Sequence, residues 1–145
     1  MTELQYQTIN NKKVYDIPDN VCRELLKKGG AALAQCYPKP GDGYAVALLT
    51  SQGNIFTGAS YKSDTATLTM HSEAVALARA AQHGETGIVA ITGPNCHICK
   101  QLIWESSLRS GIDTLVVMEG ENGAILKVPI SAMMPYPWPE KLGEK

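Results

Sequence analysis

The sequence lacks any run approaching the roughly 18 uninterrupted apolar residues of a membrane-spanning helix, and its first residues, MTELQYQTINNKKVYD, lack the apolar centre of a secretory signal. A soluble, unprocessed, cytoplasmic chain with no membrane partner is therefore expected. It also lacks an excess of either charge. With 13 basic and 14 acidic residues the formal charge is -1, which removes the electrostatic drive toward extended nucleic acid. Cysteine is sparse: four in 145 residues, without a secretory signal, are expected as reduced thiols and not as a disulfide framework. No repeat, low-complexity segment or linker divides the chain. What the sequence does have is 44% hydrophobic residues, enough for one core. Residues 1–145 are read as a single domain, with a polar arm over 1–16 and an irregular, proline-rich tail over 135–145.

Along the chain, NVCRELLKKGGAALAQCYP reads as an amphipathic helix weakened at Gly29 and Gly30. YAVALLT, SQG and NIFTGAS read as strand, tight turn and strand, so residues 44–60 form a hairpin. SEAVALARAAQH, from Ser72 to His83, is a helix with Val75, Leu77, Ala78 and Ala81 available for burial. GIVAIT follows as a buried strand, Cys96 to Ser107 as a helix, and TLVVME and AILKVPI as two further strands. This order implies an α/β fold, a three-layer α/β/α sandwich with a mixed β-sheet. Cys22 and Cys36 have no partner at metal-ligand spacing and are expected as small core residues.

Two segments carry chemistry. MHSEAVALA supplies His71 and Glu73, and PNCHIC supplies Cys96 and Cys99. Residues two apart on a helix diverge by about 200°, so His71 and Glu73 converge only if His71 sits at the helix entrance. Cys96 and Cys99, three apart, share one face of a first turn, where free amides and the positive end of the helix dipole favour thiolates. One imidazole and two thiolates are donors zinc prefers, and three of them leave a fourth tetrahedral position open, as catalytic sites do. Zinc lowers the pKa of water to about 7, and a nearby carboxylate such as Glu73 can then move the protons. Two other readings use the same cysteines. A thioredoxin-like redox pair also follows a strand and opens a helix, and a structural zinc site would need a fourth ligand such as His97.

With HSE and PNCHIC in place, the sequence resembles the cytidine deaminase superfamily, whose signature is HxE followed by PCxxC. ALLTSQGNIFTGASYKSDTATLTMHSEAVALA is similar to the hairpin and first zinc helix of the small tetrameric members, and CKQLIWE to their second; the resemblance spans roughly residues 20 to 135 in element order. It implies that His71, Cys96 and Cys99 bind Zn2+ and that Glu73 is catalytic. It further implies hydrolytic release of ammonia from a cytosine nucleoside or nucleoside-like small molecule, and a homotetramer with shared pockets.

The chain departs from the family pattern at three places. Asn95 intervenes between Pro94 and Cys96. Many small members have cysteine at the position of His71 and arginine one position after the glutamate, where this chain has Ala74. The family's GxNxEN stretch aligns with GASYKS, so Ser60 and Lys62 stand where an asparagine and a glutamate hold the ribose. An ammonium only donates where a carboxylate accepts. The exchange points to a modified, acylated or anionic cytosine derivative, as in the related blasticidin S deaminases, or to a silent nucleoside-binding member. Tyr44, Ser60, Lys62, Pro94 and Asn95 are the expected substrate-facing residues. Tyr136 and Trp138 are expected either over a neighbouring subunit's pocket or pinned to their own domain.

Overall fold

The computed structural model describes residues 3–142. Among the described residues, seven strands and three α-helices occur in the order β1 (Tyr6–Ile9), β2 (Lys12–Tyr15), α1 (Asp19–Ala31), β3 (Ala45–Thr50), β4 (Ile55–Ala59), α2 (Ser72–Gln82), β5 (Ile88–Thr92), α3 (His97–Ser110), β6 (Leu115–Glu119) and β7 (Ile125–Pro129). Five strands form one sheet in the order β4-β3-β5-β6-β7, and β5 and β6 are its one parallel pair. The sheet is mixed, as the element order predicts.

Alternation along the strands sorts the core into two halves. Ala47 and Leu49 of β3 and Leu115 and Val117 of β6 pack with Cys22 and Leu25 of α1 on one face. Val46, Leu48, Ile91 and Val116 face the other way, against Ala76 and Ala80 of α2 and Ile103 and Trp104 of α3. The result is the expected α/β/α sandwich. α1 begins with Asp19 in its first turn and ends with Lys28 in its last, both favourable to the helix dipole. It runs through Gly29, where a side chain would press within 3.2 Å of the Ala47 backbone nitrogen, so the missing side chain lets the helix lie against β3.

The strand directions place the functional segments. β4 and β5 are both antiparallel to β3 and so run the same way. The helices that follow them, α2 and α3, begin at one edge of the sheet.

Three features differ from the sequence expectation or add to it. Residues 6–15, expected within a polar arm, pair as an antiparallel hairpin turned by Asn10 and Asn11, both at positive φ. The hairpin is fastened by Lys13 N to Gly111 O (2.9 Å) and Asp113 N to Lys13 O (2.8 Å), with Lys12 Nζ 3.9 Å from the centre of the Trp104 ring. The buried side of α2 is Ser72, Glu73, Ala76 and Ala80; Val75 and Leu77 are half-buried, and Ala78 and Ala81 are exposed. The cause lies in β4, where Gly58 has no side chain to hold off Ser72 O and Ala76 N, so the helix seats its smallest side chains on the strand. The tail, described as far as residue 142, contains no α-helix or strand beyond β7. It is pinned to its own domain by Trp104 Nε1 to Pro139 O (2.7 Å) and Gln101 Nε2 to Trp138 O (2.8 Å). Residues 143–145 of the expected tail and 1–2 of the expected arm lie outside the described residues. Among the described residues, no helix is long and apolar enough to cross a membrane.

Candidate metal centre

His71 and Cys96 occupy equivalent places: each is the extended residue that immediately precedes a helix, α2 and α3 respectively. Glu73 and Cys99 follow in the first turns, both buried. Because the two helices start at one sheet edge, residues 25 and 28 positions apart in the chain converge. His71 Nδ1 lies 3.5 Å from Cys96 Sγ and 3.3 Å from Cys99 Sγ, and all three donor atoms lie within 4.8 Å of one another. That cradle of one imidazole and two sulfurs is able to hold a metal ion.

The electrostatics of the cradle fit a divalent cation. Burial pushes the Cys99 thiol well above the ordinary thiol range, and the negative charge of Glu73 and the neighbouring Cys96 push it further the same way. Left to the protein alone, Cys99 stays protonated. His71, Cys96 and Cys99 would hold a cation, whose counter-charge would favour the Cys99 thiolate. One imidazole and two sulfurs are donors that zinc accepts, and a tetrahedral ion held by these three would have a position left over.

Glu73 is 6% exposed and both its oxygens are engaged. Oε1 accepts from Ser72 Oγ at 2.8 Å, and Oε2 accepts from Asn95 Nδ2 at 2.7 Å. Asn95 Nδ2 also donates to Thr92 O at 3.2 Å, while Asn95 Oδ1 is buried without a hydrogen-bond partner. A buried, unpaired acceptor costs about 1–3 kcal/mol.

The other predicted substrate-facing residues form a separate group. Ser60 is buried; its hydroxyl accepts from Tyr44 N at 3.1 Å and donates to Cys36 Sγ at 3.7 Å, while Cys36 donates to Tyr44 O at 3.5 Å. Cys36, expected as a core residue, is buried and fastens this knot. The Tyr44 and Pro94 side chains are exposed. The segment between Ser60 and Lys62 is sandwiched: Tyr61 exchanges two backbone hydrogen bonds with Met70 (3.0 and 2.9 Å), stacks on the Tyr37 ring at 4.5 Å, and Lys62 N donates to Tyr37 O at 2.9 Å. The Lys62 side chain is exposed.

Sequence reasoning thus named the four residues of the cradle and its carboxylate, and it missed Ser72. The available signal was position, since Ser72 stands between the two residues of the HSE motif.

No protein-family model and no curated protein matches the chain. Solved structures do. A cytidine deaminase from Burkholderia pseudomallei superposes with a TM-score of 0.68 at 20% identity, covering 80% of this chain and 98% of that one. The cytidine deaminase from Mycobacterium leprae gives 0.61 at 19% identity over 83% and 99% of the two chains. That from Mycobacterium tuberculosis gives 0.63 at 18% identity over 85% and 98%. Likeness at these identities is a likeness of fold, and it extends over nearly the whole of each of those chains. By its sheet order, its layers and these superpositions, the chain has the cytidine deaminase-like fold.

Proposed function

We propose that this chain is a zinc-dependent hydrolytic deaminase of a cytosine nucleoside or nucleoside-like compound, with His71, Cys96 and Cys99 as the metal ligands and Glu73 as the catalytic acid and base. The observation that carries this reading is the pairing of a three-donor cradle, built across the entrances of α2 and α3, with a buried carboxylate in the first turn of α2. When bound, zinc supplies a Lewis acid and a water acidic enough to serve as nucleophile at neutral pH. Glu73 accepts one proton of the attacking water and delivers it to the ring nitrogen; it then takes the second proton from the hydroxyl added at C4 and hands it to the departing amine. Water adds at C4, the C–N bond breaks, and ammonia leaves. Ser72 and Asn95 engage one acceptor position on each Glu73 oxygen, which leaves others for those protons.

Lys62, Tyr44 and Pro94 make up the substrate-facing rim in this reading. The Ser60 hydroxyl is already committed to Tyr44 and Cys36, and the Lys62 side chain is exposed, which supports Lys62 as the donor offered to substrate. Recognition by a donor in place of a carboxylate favours a cytosine compound that carries acceptors or negative charge, a blasticidin-like compound among them. The assembly we propose is a homotetramer, located in the cytoplasm, with each pocket completed by a neighbour.

The test is one preparation, assayed for metal and for release of ammonia or amine from cytidine, deoxycytidine, N4-substituted cytidines and blasticidin S. The expected result is about one zinc per chain and turnover of at least one of these. A zinc-loaded protein that binds a nucleoside without turnover would instead be a silent binding module. A zinc-free protein whose Cys96 and Cys99 cycle reversibly to a disulfide would overturn the reading in favour of redox chemistry.

A further inference from the structure

Glu73 is gripped from opposite sides by residues that belong to different elements. Ser72, its neighbour on α2, donates to Oε1, and Asn95, from the loop between β5 and α3, donates to Oε2. All three side chains are buried, Asn95 to 7% exposure. The orientation of the Asn95 amide is determined by its surroundings. Its NH2 donates to Glu73 and to Thr92 O, so reversing the amide would set an acceptor against two acceptors. The same orientation leaves Oδ1 buried without a partner, beside Gly93. The fold therefore keeps an unsatisfied acceptor in order to present two N–H groups, one of them to the carboxylate.

We propose that Asn95 and Ser72 are positioning residues that hold the Glu73 carboxylate in one orientation relative to the metal cradle. Asn95 directly precedes Cys96 at the entrance to α3 and grips Glu73 on α2, so the carboxylate and one sulfur are kept in register by the protein itself. The residue that interrupts the Pro-Cys pair is thereby given a task. Acting through Glu73, Asn95 should affect turnover and leave substrate affinity and zinc content alone. The catalytic consequence rests on the deaminase reading; the mechanical coupling of residues 95 and 73 does not.

The experiment has two arms on the full chain. In the first, which needs no substrate, thermal unfolding is measured for Asn95→Ala, Glu73→Ala and the double variant. The expected double variant loses clearly less in Tm than the sum of the single losses, because either change alone already breaks the shared hydrogen bond. Additive losses would overturn the proposal, even if every nucleoside tested proved inert and the deaminase reading had failed. In the second arm, Asn95→Ala is expected to lower kcat about 10- to 100-fold, with KM within about twofold and zinc retained. Asn95→Asp, equal in size but with an acceptor turned on the carboxylate, is expected to lose more, and Ser72→Ala less. A rise in KM at unchanged kcat would make Asn95 a substrate contact, and loss of zinc would make it a loop staple; either overturns the proposal. Should Asn95→Ala fold poorly, Asn95→Asp and Ser72→Ala carry both arms.

Discussion

Two buried glutamates bracket α2, and they are alike in almost every local respect. Glu73 in the first turn is 6% exposed, and Glu85, just past the last turn, is 8% exposed. Each carboxylate accepts hydrogen bonds on both oxygens. Glu85 takes Thr50 Oγ1 at 2.5 Å and Asn54 Nδ2 at 3.0 and 2.9 Å, which ties the β3–β4 turn to the end of the helix. Glu73 takes Ser72 and Asn95. Burial and hydrogen bonding therefore do not separate a structural carboxylate from a reactive one. The neighbourhood differs: around Glu85 the polar groups are spent on each other, whereas beside Glu73 an imidazole and two sulfurs gather within 4.8 Å of one another as possible metal donors.

The comparison can be broken or sharpened at both ends. The largest effect is expected from Cys99→Ala, or from stripping the metal with a chelator: zinc content should fall to background, and ammonia release should disappear with it. Next, Glu73→Gln should keep zinc yet lower turnover by about 10²- to 10⁴-fold, the range of a lost general acid and base; ammonia release at near the native rate would remove Glu73 from the mechanism. At the other end of α2, Glu85→Ala should leave kcat per folded molecule unchanged and destabilise the chain by about 1–3 kcal/mol in urea denaturation, since Thr50 and Asn54 lose a buried partner. If the Glu85 variant were the inactive one, the contrast would be reversed.

The smallest effect is expected at Asp19, an exposed carboxylate. Lys127 Nζ lies 2.7 Å from it and, by hydrogen bond and charge, holds its carboxyl below the usual carboxylate range. A depressed folded-state pKa stabilises the native state above the ordinary carboxylate pKa and is lost as pH falls through the lowered value. Asp19→Asn should therefore bring the native chain and the variant together only in strong acid, with a slight difference in Tm at neutral pH. A difference that grows as pH falls would contradict the sign.

Much of the site was legible because its chemistry is local. HSE and PNCHIC each place their donors within a single helix start, so short-range spacing predicts which atoms share a face. The sheet was legible for a related reason: IVAIT, and LVV at the start of β6, are buried on both faces and read as apolar runs. The N-terminal hairpin was missed because YQTI and KKVY are short, mostly polar on their exposed sides and without a full alternation. In hindsight the Asn10–Asn11 pair, both at positive φ, is the signal of a two-residue turn. The expected side of α2 is turned from the observed one: Val75 and Leu77 are half-buried, with Leu77 packed on the core, but Ala78 and Ala81 are exposed, because close seating on Gly58 of β4 turns Ala76 and Ala80 inward. The pairing of Asn95 with Glu73 joins residues 22 positions apart and has no period or spacing to betray it.

The bare α-carbon of Gly58 sets more than the seat of one helix. Since Ser72 O and Ala76 N would collide with even a methyl group there, the height of the α2 entrance above the sheet is fixed by main chain resting on main chain. Alanine at this position would act as a wedge, lifting His71 away from the two thiols while the strand beneath stayed in place. One hydrogen atom in β4 thus calibrates the gap into which an ion must fit.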